Sequence, residues 1–482
     1  MVFKKNKLVN KTMKIGASLI LASAMMVSCG DDDDSSSSNT GGDAPAAQAV
    51  GGVYIMTNGD GQVAGNNVQG ANSIVSYARL ADGSLTSEAI TATGGNGGDF
   101  DGGEGLDPLI SAYAITKTDD NAFVLAVNAG SNSISALPVN DDFTLGTAVT
   151  ESTSAIGPNS IDVHMAPESM TGVHSLVLVT NVTRAEFLDF GEPRHRGTLD
   201  AFWLLDDGTL TPAGASVDLD NRPSAVHISP DGAFAIVTSI NAGAAGLDVG
   251  ATDNLGAGST AVGNQDEITL FSITDGALAR LDGATSTSRG NSDERNLPSA
   301  IGAQIVTGTD GSFYAVVTEA REFRYQGLPP IFPGLQSGSV STWRINGSTL
   351  DPVALDVTAG PEGSGRTACW LDFNEDNSLF YVSNAIEASV ATYSFDNGLI
   401  ELVEANSANG LGVGGIAQGE DAFAVTEGWI DLWVADGFLY QLHGLEGVVS
   451  VWDTNNGTNF SLVEEVSSDD IPVNNTQGIV AF

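Results

Sequence analysis

The chain has 482 residues, and 60 Asp and Glu against 18 Lys and Arg give it a formal net charge of −42. That balance excludes a simple nucleic-acid binder, which needs a basic footprint for phosphate, and disfavours unaided binding to anionic lipid. With 42% hydrophobic residues the chain can still build a core, and its 58 glycines show no three-residue period, so they belong to turns rather than to a collagen-like fibre.

The first 28 residues carry five lysines and no acid. The apolar run from Ile15 to Val27 is too short to span a bilayer and suits the core of a secretion signal. Met26-Val27-Ser28-Cys29-Gly30 looks like a bacterial lipoprotein signal, in which a small residue precedes a Cys that is lipidated and becomes the new N-terminus. Residues 1–28 are thus expected to be a signal peptide, with Cys29 the lipid anchor. Asp31–Asp34 and Ser35–Ser38 cannot bury anything, so 29–50 reads as an acidic, Ser-rich tether. An acidic run at this place resembles the signal that sends Bacteroidetes lipoproteins to the cell surface, so the expected location is the outer membrane, facing outward. Once the five leader lysines are removed, Lys117 is the only lysine left. With Cys29 lipidated, Cys369 stands alone and a disulfide framework is excluded.

From residue 51 to 482 short β-rich runs alternate with Asp-Gly and Asn-Gly turns, the pattern of an all-β repeat with no convincing amphipathic helix. Blade four reads Ala225–Pro230, the turn Asp231-Gly232, then Phe234–Thr238; its second half is Glu267–Ile273 and Asp275-Gly276. Blade six is the most compact copy: Cys369–Phe373, Leu379–Ser383, Ser389–Phe395, Asn397-Gly398 and Leu399–Val403. Five more second strands start at Val53, Phe123, Leu176, Phe313 and Phe438. The chain opens on a second strand and finishes with Thr476–Phe482, which reads as a first strand. Pairing the two closes a seven-bladed β-propeller and removes both free edges.

An up-and-down blade puts its first-to-second and third-to-fourth turns on one face, and its second-to-third loops and blade connections on the other. The first set is short, as in Asp82-Gly83, Asp119-Asp120, Asp207-Gly208 and Asp310-Gly311. The insertions 59–71, 184–197, 240–266 and 320–338, with the connection 94–107, fall in the second set and point to that face for function. Residues 240–266 are Gly- and Asp-rich, whereas 320–338 carry Arg321, Arg324, Tyr325 and several prolines, a surface suited to a ligand or partner or to a self-packed plug of the channel.

The copies resemble the lactonase-type seven-bladed propeller family of 6-phosphogluconolactonase and carboxymuconate cyclase. The resemblance is carried by Ala368-Cys369-Trp370, by Tyr381-Val382-Ser383-Asn384-Ala385 and by Val317-Thr318-Glu319-Ala320. It implies the propeller fold but keeps the catalytic pattern poorly. Ser224 stands where the family's Gly-Pro-Arg-His motif has its His, Thr238-Ser239 where a Glu is expected, and Pro158–Ile161 again lacks a His. Lactone hydrolysis needs a base and a cation for the carboxylate or oxyanion. Glu319 and Arg366 are the surviving catalytic candidates, with Arg222, Arg321, Arg324 and Tyr325 as ligand-binding candidates. The reading is therefore a surface lipoprotein that binds a small ligand, polymer or protein partner on its long-loop face; the alternative is a lactone hydrolase or cyclase. No cofactor and no metal are expected: the acidic loop 99–107 lacks the spacing of a calcium loop. His164 and His227 sit in matching motifs and are read as packing, and Cys369 as a small buried hydrophobe.

Overall fold

The structure, a computed structural model, describes residues 48–59, 68–99, 107–183, 197–219, 222–240, 267–284, 286, 298–320, 337–361, 365, 367–385, 387–409, 428–473 and 475–482. Blade one holds β1 (Ala49–Met56), β2 (Val68–Leu80) and β3 (Leu85–Gly98). Blade two holds β4 (Ile115–Lys117), β5 (Phe123–Asn128), β6 (Ser133–Pro138) and β7 (Val149–Ser152). Blade three has β8 (Ile156–Met165), β9 (Val173–Thr183), β10 (Thr198–Leu205) and the short β11 (Leu210–Pro212) and β12 (Val217–Asp218). Blade four has β13 (Pro223–Ile228), β14 (Phe234–Ser239), β15 (Ile268–Thr274) and β16 (Ala277–Ala284). Blade five has β17 (Ser299–Thr307), β18 (Phe313–Ala320), β19 (Ser339–Asn346) and β20 (Thr349–Thr358). Blade six has β21 (Ala368–Phe373), β22 (Leu379–Asn384), β23 (Ser389–Asp396) and β24 (Leu399–Asn409). Blade seven has β25 (Trp429–Ala435), β26 (Phe438–His443), β27 (Val448–Asp453) and β28 (Ser461–Ser467).

All seven expected second strands form, and each pairs antiparallel with its neighbours. The last strand, β29 (Ile479–Ala481), pairs with β1, setting Val53 opposite Ala481 and Ile55 opposite Ile479. The innermost strands β29, β4, β8, β13, β17, β21 and β25 touch in that order, and β25 returns to β29. The ring is thus closed as the sequence implies. Arg79 secures the joint: its Nε donates to the Phe482 carbonyl at 2.8 Å and its guanidinium pairs with Asp436 of blade seven. Gly51 has to be glycine here, because a Cβ would lie 1.8 Å from the Phe482 oxygen. The core is aromatic and aliphatic, as on one face of blade six, where Phe380 and Tyr393 stack with centroids 5.0 Å apart beside Phe373 and Phe395.

The lower face carries the short turns. In five of them an Asp is followed two residues later by Ser or Thr, whose backbone N–H it accepts: Asp82–Ser84, Asp142–Thr144, Asp207–Thr209, Asp310–Ser312 and Asp376–Ser378. These local bonds hold each carboxyl below its ordinary range. The strand ends that flank the insertions lie on the upper face, and most residues of the insertions lie outside the described ones. So do 287–297 between β16 and β17 and 410–427 between β24 and β25, two further long connections that start from strand ends on that face.

Candidate functional site

The innermost strand of a blade has one free edge, and its unpaired N–H and C=O groups face the central channel. The chain uses its own segment Asp107–Ala114 to meet them. Ile161 N donates to the Tyr113 carbonyl and Ala112 N to the Ser224 carbonyl, at 2.9 and 3.0 Å. Ser111 Oγ donates to the Asn159 carbonyl at 2.7 Å, Trp370 Nε1 to the Ser111 carbonyl at 3.0 Å, and the Tyr113 hydroxyl to the Leu371 carbonyl at 2.9 Å. The segment is braced by Gln477, whose Oε1 accepts Leu109 N at 2.7 Å and whose Nε2 donates to Asp107 at 2.7 Å and to the Ser111 carbonyl at 2.8 Å. Leu109, Ser111 and Ala112 are fully buried. Asp431 lies against this plug and accepts Gly478 N at 2.8 Å; burial first, and then Asp107, pushes its carboxyl well up. The channel is therefore filled by 107–114. The sequence had offered 320–338 as a possible plug; residues 321–336 lie outside the described ones.

Below the plug, four consecutive inner strands present a polar side chain at one level. Asp162, His227, Gln304 and Asp372 pair with Leu178, Ile236, Val316 and Tyr381, each two residues before a hydroxyl residue (Thr180, Thr238, Thr318, Ser383). Three of them accept from the next blade's inner strand: Asp162 from Ile228 N at 2.7 Å, His227 Nδ1 from Ile305 N at 3.2 Å and Asp372 from Val434 N at 2.7 Å. Gln304 instead donates to Asp372 at 2.9 Å. Register corrects the motif alignment here: the counterpart of His227 is Asp162, while His164 pairs with Leu176. Burial raises the Asp162 carboxyl and lifts that of Asp372 to about 6.

Near the upper face a second ring of equivalent positions ends the second strands, and five of its members lock them to the third. It runs Asn58, Asn128, Asn181, Ser239, Glu319, Asn384 and His443, none more than 4% exposed. Asn128 Nδ2 donates to Ser135 Oγ at 2.7 Å, Asn181 Nδ2 to Thr198 Oγ1 at 3.0 Å and Asn384 Nδ2 to Ser389 Oγ at 3.2 Å. Glu319 makes the same lock as an acceptor, taking hydroxyls from Ser339 and, at 2.5 Å, from Ser341. The catalytic candidate thus sits at the head of 321–336, as the sequence requires, but sealed under two serines. His443 Nε2 meets Ser450 Oγ at 2.9 Å and its Nδ1 lies 3.6 Å from Glu446, a Ser-His-Glu order. Ser450 is fully buried and also accepts Trp452 Nε1 at 2.8 Å, while His443 stacks on Trp429; burial lowers the imidazole to about 3. The group works as an enclosed polar knot, with no room for a substrate.

The positions that would carry lactonase chemistry are spent on stitching blades. Ser224 Oγ donates to the Ala300 carbonyl at 2.5 Å, Thr238 Oγ1 to Ile301 at 2.9 Å, and Asn159 Nδ2 to Pro223 at 2.9 Å, all fully buried. Ser383 does the same to Trp429 at 2.8 Å, and Thr318 to Cys369. Arg222 is buried at the head of β13. Arg366, Arg321, Arg324, Tyr325 and Cys29, with most of the loop 99–107, lie outside the described residues. Among the described residues no three His, Cys, Asp or Glu side chains are grouped to hold a metal. What sequence reasoning missed was the plug and the belt below it.

No family model matches the sequence, and no curated protein matches it. Solved structures do. A candidate 6-phosphogluconolactonase from Bacteroides uniformis superposes with a TM-score of 0.52 at 15% identity, over 90% of this chain and 100% of that one. Another from Bacteroides fragilis gives 0.53 at 15% identity, over 91% and 100%. At that identity the likeness is one of architecture, and it agrees with the seven closed sheets: the chain has the fold of the 6-phosphogluconolactonase-like β-propellers.

Proposed function

We propose that this is a lipid-anchored envelope protein whose propeller binds, without turnover, an anionic small ligand, polymer or protein partner on its upper face. The observation that carries the reading is the filled channel: segment 107–114 occupies the space in which a substrate would meet the inner strands. The stitched Ser224 and Thr238 add to it, since neither can reach a reacting atom. The preference for an anion rests on charge placement. Of the thirteen basic residues after residue 28, nine fall in stretches that leave or re-enter the ring on the upper face of blades three to six, from Arg184 to Arg366. Arginine is suited to carboxylate, sulfate and phosphate groups. Cys29→Ser should release the protein from membranes; unchanged retention removes the anchor.

The second reading is a lactone hydrolase. Glu319, a carboxylate where four other blades place Asn, with Arg366 in the following connection, favours it. Both readings meet in one experiment. The purified protein is screened with a pH indicator against a panel of sugar and carboxylated lactones. Turnover that Glu319→Gln abolishes would replace the binding reading. Silence across the panel, with thermal stabilisation by a polyanion such as heparin or polygalacturonate, sustains it.

A further inference from the structure

Below the plug the inner strands bring polar and aromatic side chains together at the lower end of the channel. Tyr113, its hydroxyl fixed to the Leu371 carbonyl, forms the inner end. Around it stand Asp162, His227, Gln304 and Asp372 from four adjacent blades, with Trp433 in the equivalent position of blade seven, opposite Tyr440 as Asp372 is opposite Tyr381. Lys117 enters from blade two, its ammonium 5.9 Å from the centroid of Phe482. Unlike the sealed upper ring, this one is open: the His227 and Asp162 side chains are 23% and 17% exposed, and Lys117, Trp433 and Phe482 are half-buried.

Its hydrogen-bonding capacity is only partly used. Asp372 already accepts from Gln304, Phe373 N and Val434 N. Lys117 Nζ has no hydrogen-bond or ion-pair partner among the described residues. His227 Nδ1 accepts Ile305 N, which leaves the Nε2 hydrogen as a donor without a partner there. Asp162 offers a partly exposed carboxylate. A simple anion at Lys117 would face Asp162 and Asp372 in the ring and Asp119 and Asp120 at its mouth, and a simple cation would face Lys117 itself. A neutral molecule with several hydroxyls meets neither penalty. It accepts from Lys117 and His227, donates to Asp162, and lays its C–H faces on Trp433 and Phe482. We propose that the lower channel mouth is a binding site for a neutral polyol of monosaccharide size, held by Lys117, His227 and Asp162.

Lys117 supplies the test. The unprocessed chain is acetylated with an amine-reactive ester in the presence of glucose, galactose, mannose or inositol, and each lysine is followed by peptide mass spectrometry. At least one polyol is expected to slow acetylation of Lys117 several-fold, saturably, while Lys4 to Lys14 react unchanged. His227→Asn, which keeps an acceptor at the Nδ1 position for Ile305 N and removes the Nε2 donor, should abolish that protection. An unchanged Lys117 rate with every polyol overturns the proposal. So does protection by sodium sulfate or acetate alone, which would mark an anion site, and so does protection that survives His227→Asn.

Discussion

The two faces of the ring solve the same problem by different means. On the lower face five turns are closed locally: an Asp accepts the backbone N–H two residues on, and its carboxylate stays exposed. On the upper face the strand ends are fixed by buried side chains, Asn181, Glu319, Asn384 and His443, that reach the neighbouring strand. Local capping keeps turns short and interchangeable. Buried locks free the chain beyond them from structural duty, so the loops they anchor can lengthen without loosening the blade. The channel combines both devices, since a long upper connection dips into it as the plug.

The comparison breaks first at the plug. Gln477→Ala strips the brace from Leu109 N, Asp107 and Ser111, all buried or nearly so, and should cost about 3 kcal/mol in denaturant unfolding. An unchanged midpoint would mean that the plug is held by its packing alone. Next is the upper lock: Glu319→Ala leaves two buried serine hydroxyls without their acceptor and should cost about 2 kcal/mol, and Glu319→Gln less, because an acceptor remains.

The third prediction separates two buried groups by pH. The folded pKa of Asp372, about 6, lies above its unfolded value, so the native state binds the extra proton between about pH 4 and 6. Its contribution is present below that window and lost as pH rises through it. His443, lowered to about 3, does the reverse: the unfolded chain takes the proton first, and stability is lost as pH falls below about 6.5. Each slope approaches about 1.4 kcal/mol per pH unit in its window. Asp372→Asn should therefore steepen the loss of stability on acidification, and His443→Gln should flatten it. Parallel curves for both variants would show that neither group titrates differently on folding. The smallest effect belongs to the lower face, where Asp207→Ala or Asp310→Ala should stay within the scatter of ordinary surface substitutions in a melting experiment.

The architecture was legible because its signals are local. Alternating strands and Asp-Gly turns recur often enough to count blades, and a propeller needs little more. The strand pair at the joint opens at Ala49, two residues before the expected boundary. The plug was not legible: Asp-Pro-Leu-Ile-Ser-Ala-Tyr-Ala carries no periodicity of its own, and its partners Trp370 and Gln477 lie hundreds of residues away. The two histidines misled for a related reason. His164 and His227 share a motif, but which side chain faces the next blade is set by pairing register, and register places Asp162 there. Glu319 was found from a family-like tetrapeptide, yet its role as one of five equivalent locks needs the blades superposed.

The joint between β29 and β1 also has a temporal side. Arg79 and Phe482 are 403 residues apart in sequence, and the strand that completes blade one is made after every other described strand. Until it arrives, β1 presents an unpaired edge and blade seven lacks the inner strand it packs against on that side. A nascent chain can assemble blades, but it cannot become a ring before β29 has been made. Folding of this protein is thus delayed by topology, because the ring has to stay open until its closing strand emerges.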